Sequence, residues 1–359
     1  MKDILAIGLM SGTSLDGLDI ALCRFSESEP HWDFEILKAE TIPYTGYWKL
    51  KLSSTHHSSA RDFWQTHVEY GHFLGDQVNR FLALESRKPD LVCSHGHTIF
   101  HQPTSGFTMQ LGAGEAIAAE TGLPVVADLR SADVALGGQG APLVPVGDRL
   151  LFGQYGACLN IGGFTNVSFE IENRRIAFDV CPSNIILNHL AERTGKKFDQ
   201  DGILASQGNL LAPLAERLSE IPYYSQKPPK SLGREWLEKE FLPVLESGSY
   251  SVSDLLRTMV EHIAQQIGQS LDILNKTTVL VTGGGAHNRY LVDAIRKHSH
   301  HDFFLPAEEI IDFKEALVFA FLGALRLKGK INVFSSVTGC KYDHSGGAFY
   351  ALNTLLTKN

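Results

Sequence analysis

The sequence predicts an α/β protein built from two domains that face one another across a cleft. Three observations carry that expectation. The chain has 359 residues, enough for about two domains. The order strand–strand–strand–helix–strand–helix–strand occurs twice along it. Three glycine-rich segments, Gly12–Gly17, Gly162–Gly163 and Gly283–Gly285, each follow a predicted strand.

The first half opens with three apolar runs, Ile4–Met10, Leu18–Phe25 and Phe34–Thr41. The turn residues between them predict an antiparallel meander. Ala60–Arg87 then places Phe63, Val68, Phe73, Leu74, Val78, Phe81 and Leu82 at helical spacing. Pro89 and Asp90 break that helix, and Leu91–Cys93 returns to strand. Gly112–Thr121 reads as a small-residue helix ended by Gly122, and Leu123–Ala127 as a further strand.

The second half begins with strands at Ala157–Ile161, Asn166–Ile171 and Arg175–Asp179. Ile185–Arg193 reads as a helix, and the Pro-rich stretch Tyr223–Lys230 as a loop. Val252–Leu274 is a long helix, Thr278–Thr282 a strand, Asn288–Lys297 a helix and Lys314–Leu327 a last long helix. The expected boundary falls at Asp128, before the Gly/Pro-rich Ala135–Pro145 connection. This gives a first domain over 1–127, onto which 313–359 can pack back, and a second over 128–312.

Bulk composition narrows the function. A net charge of -8 argues against a nucleic-acid surface and leaves small molecules or proteins as partners. Anionic ligands stay possible, because backbone N–H groups hold phosphate without net positive charge. The five cysteines (Cys23, Cys93, Cys158, Cys181, Cys340) include no C-x-x-C pair. They read as reduced core residues of a cytoplasmic protein. Met1-Lys2-Asp3-Ile4-Leu5 has no signal-peptide pattern, and no apolar run is long enough to span a bilayer.

The chemistry sits in the glycine-rich turns. In Gly12-Thr13-Ser14-Leu15-Asp16-Gly17-Leu18-Asp19, glycines let backbone N–H groups approach phosphate oxygens and hydroxyls add donors. Asp16 or Asp19 suits a hydrated Mg²⁺. An ordinary Asp-Gly hairpin explains the same letters. The segment is neither a Walker A loop nor a G-x-G-x-x-G fingerprint. Gly162-Gly163, followed by Asn166, is a second hairpin of this kind. Gly283-Gly284-Gly285, followed by Asn288, lies between a strand and a helix N-terminus. A tight turn accounts for any one of the three; three at matching places in two halves argue together for nucleotide phosphates.

Gly8–Asp19, Asp128–Pro145, Leu159–Asn166, Phe178–Asn184 and Thr282–Asn288 resemble the anhydro-N-acetylmuramic acid kinases of the actin/hexokinase/heat-shock superfamily. Two motifs are specific: Ser11-Gly12-Thr13-Ser14-Leu15-Asp16-Gly17, and Arg130-x-x-Asp133 followed by Gly137–Pro145. The resemblance implies two RNase-H-like, actin-like ATPase domains with ATP and Mg²⁺ in the cleft between them. It implies a reaction in which water attacks the anomeric carbon of the 1,6-anhydro sugar while O6 takes the γ-phosphoryl group, in peptidoglycan recycling. Asp179 matches the base that deprotonates the water. Thr98, Arg130, Asp133 and Glu315 match sugar-binding positions, with Arg130 suited to clamp a lactyl carboxylate. The partners implied are a small amino sugar and a second copy of the chain in a homodimer.

Blander readings stand beside these. Asp179 equally suits a turn or N-cap, and Glu315 suits the first turn of a helix. The chain departs from the family at Cys181 and Ser183, where glycine-containing Thr-Gly-Pro-Gly-Asn is usual, and at His97, where Gln is usual. The first departure keeps open a kinase of another sugar or a catalytically silent sugar or nucleotide sensor; the second suggests a new pH dependence. The runs His95/His97/His101 and His298/His300/His301 carry no partner carboxylate or thiolate pattern, and no metal centre is expected there.

Overall fold

The computed structural model describes residues 3–12, 15–28 and 31–352, so Thr13 and Ser14 of the first glycine-rich segment lie outside the described residues. The chain forms two compact units, Met1–Gly153 with Phe313–Asn359, and Gln154–Asp312.

In the first unit, β1 (Ile4–Ser11), β2 (Gly17–Ser28) and β3 (His31–Pro43) form the expected meander. β4 (Leu91–Gln102) runs parallel to β1, β5 (Phe107–Leu111) folds back on β4, and β6 (Val125–Ala127) continues parallel to β4. The near-continuous apolar run of β1 is what a central strand covered on both faces requires. The helix Ala60–Leu82, capped by Ser59 through the Asp62 N–H at 3.2 Å, buries Tyr70, Leu74, Val78 and Phe81 against the sheet.

The helix Glu308–Leu327 is buried around its whole circumference from Ala316 to Leu322. It lies so close to β1 that a Cβ on Gly8 would stand 1.8 Å from the Ala316 carbonyl oxygen.

In the second unit, β7 (Ala157–Ile161), β8 (Phe164–Ile171) and β9 (Arg174–Pro182) form a second meander. β10 (Thr278–Thr282) lies parallel to β7, and β11 (Asp302–Phe304) parallel to β10. The strand order is β11-β10-β7-β8-β9. The helix Val252–Leu271, capped by Ser251, buries Leu255, Met259, Ile263 and Ile267 in this unit's core.

In the first unit β12 (Ala348–Tyr350) pairs with β6 and completes a sheet ordered β12-β6-β4-β1-β2-β3, with β5 beside β4.

Several expectations change. The boundary predicted at Asp128 falls at Gly153. The Ala135–Pro145 connection is tied into the first unit: the Gln139 N–H donates to the Thr338 carbonyl at 2.8 Å, and just beyond it Asp148 pairs with buried Lys314 at 2.6 Å. Strand Leu91–Cys93 extends to Gln102, because Ser94 and His97 pair with β1 while His97–Gln102 pair with β5. Glu315 is in the interior of a helix that starts at Glu308, so the helix-dipole explanation for it fails.

Candidate active site

The second unit brings three of the predicted segments to one end of its sheet. Thr282 pairs with Asn160, Asn160 with Asn166, and Asn166 with Asp179, so the four residues form one row across β10, β7, β8 and β9. The Gly162–Gly163 hairpin and the Gly283–Gly285 turn lie just beyond that row, at the C-terminal ends of the parallel strands β7 and β10. In α/β sheets this is the end where ligands bind.

The glycines differ in what they do. Gly283 holds φ 84°, and Cβ atoms on Gly283 and Gly285 would collide with Asn160 and Ile161 at 2.6 and 2.2 Å, so these two let the turn close onto β7. A Cβ on Gly162, Gly163 or Gly284 would meet nothing nearer than 3.4 Å. A Cβ at these three positions would make only ordinary van der Waals contact, so crowding within the unit does not require these glycines. Asn288 accepts the Leu291 N–H at 3.1 Å and caps the helix Arg289–Lys297.

Asp179 is within β9, which removes the N-cap reading. Between Thr165 and Asn166 the register slips, so Val180 is an extra residue between Asp179 and Cys181. Such a bulge re-aims its neighbours. The segment Tyr223–Lys230, read from sequence only as a loop, and Leu232 just beyond it wrap this position. The Leu232 N–H donates to Asp179 Oδ2 at 2.8 Å, the Tyr223 hydroxyl donates to the Asp179 carbonyl at 2.6 Å, and the Asp179 N–H donates to the Lys230 carbonyl at 3.2 Å. Lys230 Nζ stands 4.6 Å from the Tyr223 ring centre. Burial pushes the Asp179 carboxyl up to about 6, with the Leu232 N–H acting in the opposite direction.

The departures at Cys181 and Ser183 turn inward. Both are fully buried, and Ser183 Oγ donates to the Gly162 carbonyl at 2.7 Å. Together with the Asn184 N–H, 3.1 Å from that carbonyl, the serine ties β9 to the glycine hairpin.

The first unit gathers the remaining residues. Leu15, with φ 60°, donates its N–H to the Gly12 carbonyl at 3.3 Å. Asp16 is exposed, and Gly17 and Leu18 begin β2. Asp19 accepts from Thr41 at 2.6 Å, and its charge helps burial to raise the Glu315 carboxyl. Arg130 donates to the Gly140 carbonyl at 2.6 Å and to His95 Nε2 at 2.7 Å. His95 Nδ1, 2.9 Å from the Gly96 carbonyl, therefore carries the proton of a neutral ring. Burial, partly offset by Glu315 and Asp133, lowers the Arg130 guanidinium to about 10, still charged at neutral pH. Asp133 is fully buried and accepts from Gly140 N and Thr338 Oγ1 at 2.6 and 2.7 Å, holding the loop that Arg130 grips. Thr98 is half-buried and 3.5 Å from Gln110 Nε2.

A buried relay that the sequence did not signal ends beside Gly12. Tyr70 and Tyr44 hydroxyls lie 2.5 Å apart, Tyr44 donates to Ser11 Oγ at 2.6 Å, and Ser11 Oγ is 2.8 Å from His97 Nδ1. Ser11 donating its own proton to Nδ1 would leave the His97 proton on Nε2. Burial lowers His97 to about 4, so the ring is neutral at pH 7 and any pH dependence from it falls on the acid side. Three other histidines of the predicted runs have polar partners: His101 lies 3.1 Å from Thr108 Oγ1, His298 lies 2.5 Å from Glu261 Oε1, and His301 accepts from Thr277 N at 3.2 Å.

Residues 4–352 match the family model described as anhydro-N-acetylmuramic acid kinase. The anhydro-N-acetylmuramic acid kinase of Mannheimia succiniciproducens is 35% identical over 375 residues, covering 96% of this chain and 98% of its own. That of Sulfurimonas denitrificans is 32% identical over 367 residues, with the same coverage of 96% and 98%. That of Pseudomonas putida is 35% identical over 375 residues, covering 96% of this chain and 99% of its own.

Proposed function

This chain belongs to the anhydro-N-acetylmuramic acid kinase family, and on that premise we propose that Asp179 is the general base of its reaction. The enzyme is an ATP-dependent carbohydrate kinase of peptidoglycan recycling. It converts 1,6-anhydro-N-acetylmuramic acid to N-acetylmuramic acid 6-phosphate with hydrolytic opening of the anhydro ring.

Asp179 takes a proton from water as the water oxygen bonds to C1. The C1–O6 bond breaks, and O6 bonds to the γ-phosphorus as the bond to the leaving ADP oxygen breaks. The observation that carries this role is a carboxyl raised to about 6 by burial and fixed through Oδ2 by the Leu232 N–H. That poises a base near neutral pH, with Oδ1 as the atom that would take the proton.

The bare backbone of Gly162, Gly163 and Gly284 would hold phosphate oxygens, together with Gly12–Gly17. Asp16 and Asp19 offer the oxygen ligands that Mg²⁺ prefers. When bound, the ion neutralises charge on the transferring phosphoryl group. Arg130, fixed by His95 and Gly140, retains two N–H bonds for the lactyl carboxylate. Thr98 and Glu315 complete the sugar contacts, and Asp133 acts by holding the Arg130 loop. Support for a reducing, cytoplasmic setting comes from five buried cysteines that form no disulfide. No helix among the described residues is long and apolar enough to cross a membrane. A homodimer is the assembly implied by the family, and sedimentation equilibrium gives its mass.

The test is isotopic. Turnover in ¹⁸O-water with Mg-ATP and the anhydro sugar places label at C1 of the 6-phosphate product; turnover with unlabelled C1 contradicts the role of Asp179.

A further inference from the structure

Within the first unit, Asp133, Cys340 and His344 present a carboxylate oxygen, a sulfur and a ring nitrogen all within 4.8 Å of one another. They come from two segments far apart in sequence, the helical turn Ser131–Ala135 and the loop after Ser335–Thr338. We propose that these three residues form a divalent-metal site of the zinc class, with a fourth position for water, that clamps the C-terminal loop to the Arg130–Gly140 segment.

The donor set is one oxygen, one sulfur and one nitrogen, the mixture that borderline-soft Zn²⁺ accepts and that Mg²⁺ and Ca²⁺ do not favour. Cys340 Sγ and His344 Nδ1 are 3.7 Å apart. A sulfur at ~2.3 Å and a nitrogen at ~2.05 Å from one tetrahedral ion stand about 3.6 Å from each other. Zinc would therefore bind with little movement of this pair.

A further observation points to a ligand. Gly138 borders both Asp133 and Cys340: a Cβ there would stand 2.2 Å from Asp133 Oδ2 and 2.7 Å from Cys340 Cβ. Only glycine keeps the space between those two donors clear. The outer partners of a metal-bound carboxylate are also present, since Thr338 Oγ1 and Gly140 N donate to its two oxygens at 2.7 and 2.6 Å.

The proton balance is explicit. Burial, with the Asp133 carboxylate in the same direction, raises the Cys340 thiol, so without metal it is protonated and donates to the Tyr342 carbonyl at 3.2 Å. Binding replaces that S–H with an S–metal bond and releases one proton to solvent, so affinity rises with pH.

The test uses the full-length enzyme and Co²⁺ as a spectroscopic substitute for Zn²⁺. We expect one Co²⁺ per chain, a thiolate-to-cobalt charge-transfer band, and loss of that band in Cys340→Ala and its weakening in His344→Gln. Should Cys340→Ala fail to fold, Zn²⁺ protection of Cys340 from alkylation, mapped by mass spectrometry in the unaltered enzyme, gives the same answer. Absence of binding, binding without a thiolate band, a band unchanged in Cys340→Ala, or alkylation of Cys340 unaffected by Zn²⁺ would each overturn the site. The fifteen histidines make the band, rather than stoichiometry alone, the deciding readout.

Discussion

The Leu232 backbone N–H reaches Asp179 Oδ2 at 2.8 Å across 53 residues of sequence. It holds in place a carboxyl that burial has raised from 3.8 to about 6. A raised folded-state value means that the folded protein binds this proton more tightly than the unfolded chain does. Stability contributed by the protonated form is present below pH ~4 and is lost as pH rises through about 6. The buried charge then costs roughly 3 kcal/mol at neutral pH. Asp179→Asn should accordingly raise the thermal midpoint at pH 7.5, with the gain shrinking to nothing near pH 4. Equal gains at both pH values would show that the carboxyl is not raised.

Arg130 holds His95 Nε2 and the Gly140 carbonyl at once, a fork that an ammonium group does not reproduce. Arg130→Lys should lower kcat/KM for the sugar about 10- to 100-fold, the loss of charged hydrogen bonds together worth about 1.5–3 kcal/mol. The KM for ATP should change little. Steady-state kinetics with each substrate varied in turn checks both halves.

His97 is the end of a hydrogen-bonded chain from Tyr70 through Tyr44 and Ser11, and donation along it toward Nδ1 makes a single prediction. Nitrogen-detected NMR should find its ring neutral, protonated on Nε2, and without a titration step between about pH 5.5 and 8. Tyr44→Phe removes the donor to Ser11 and frees its proton to rotate. That variant should lose about 1 kcal/mol of stability and the single-tautomer signature. A His97 midpoint near its ordinary value would contradict the relay.

Much of the framework was legible because continuous apolar runs such as Ile4–Met10 and Ala157–Ile161 leave little choice but buried strands. The second half of β4 was not, since His95, His97 and Thr98 break any apolar alternation and only their pairing with β1 and β5 makes them strand. The helix Gly46–Ser54 has apolar residues but no apolar stripe, so periodicity could not find it. At the proposed site, Asp179 and Arg130 were picked out by the family resemblance and the glycine turns by residue type. Leu232 did not, because it acts through its backbone, and a backbone donor has no sequence signature. Ser11 and Tyr44 were silent for a related reason: residues 33 positions apart become one network only after β1 and the segment following β3 are brought together. Asp133 matches a sugar-binding position in its motif, and only the fold shows its buried carboxylate accepting from Gly140 N and Thr338 Oγ1.

The central claim is that Asp179 removes the proton from the attacking water, and single-turnover kinetics of Asp179→Asn test it most directly. The amide keeps the shape and the contact to Leu232 but cannot accept the proton. The account predicts a fall in the chemical step of about 10²- to 10⁴-fold, with ATP affinity by calorimetry within a few-fold of the unaltered enzyme. A chemical step at or near the unaltered rate would contradict it.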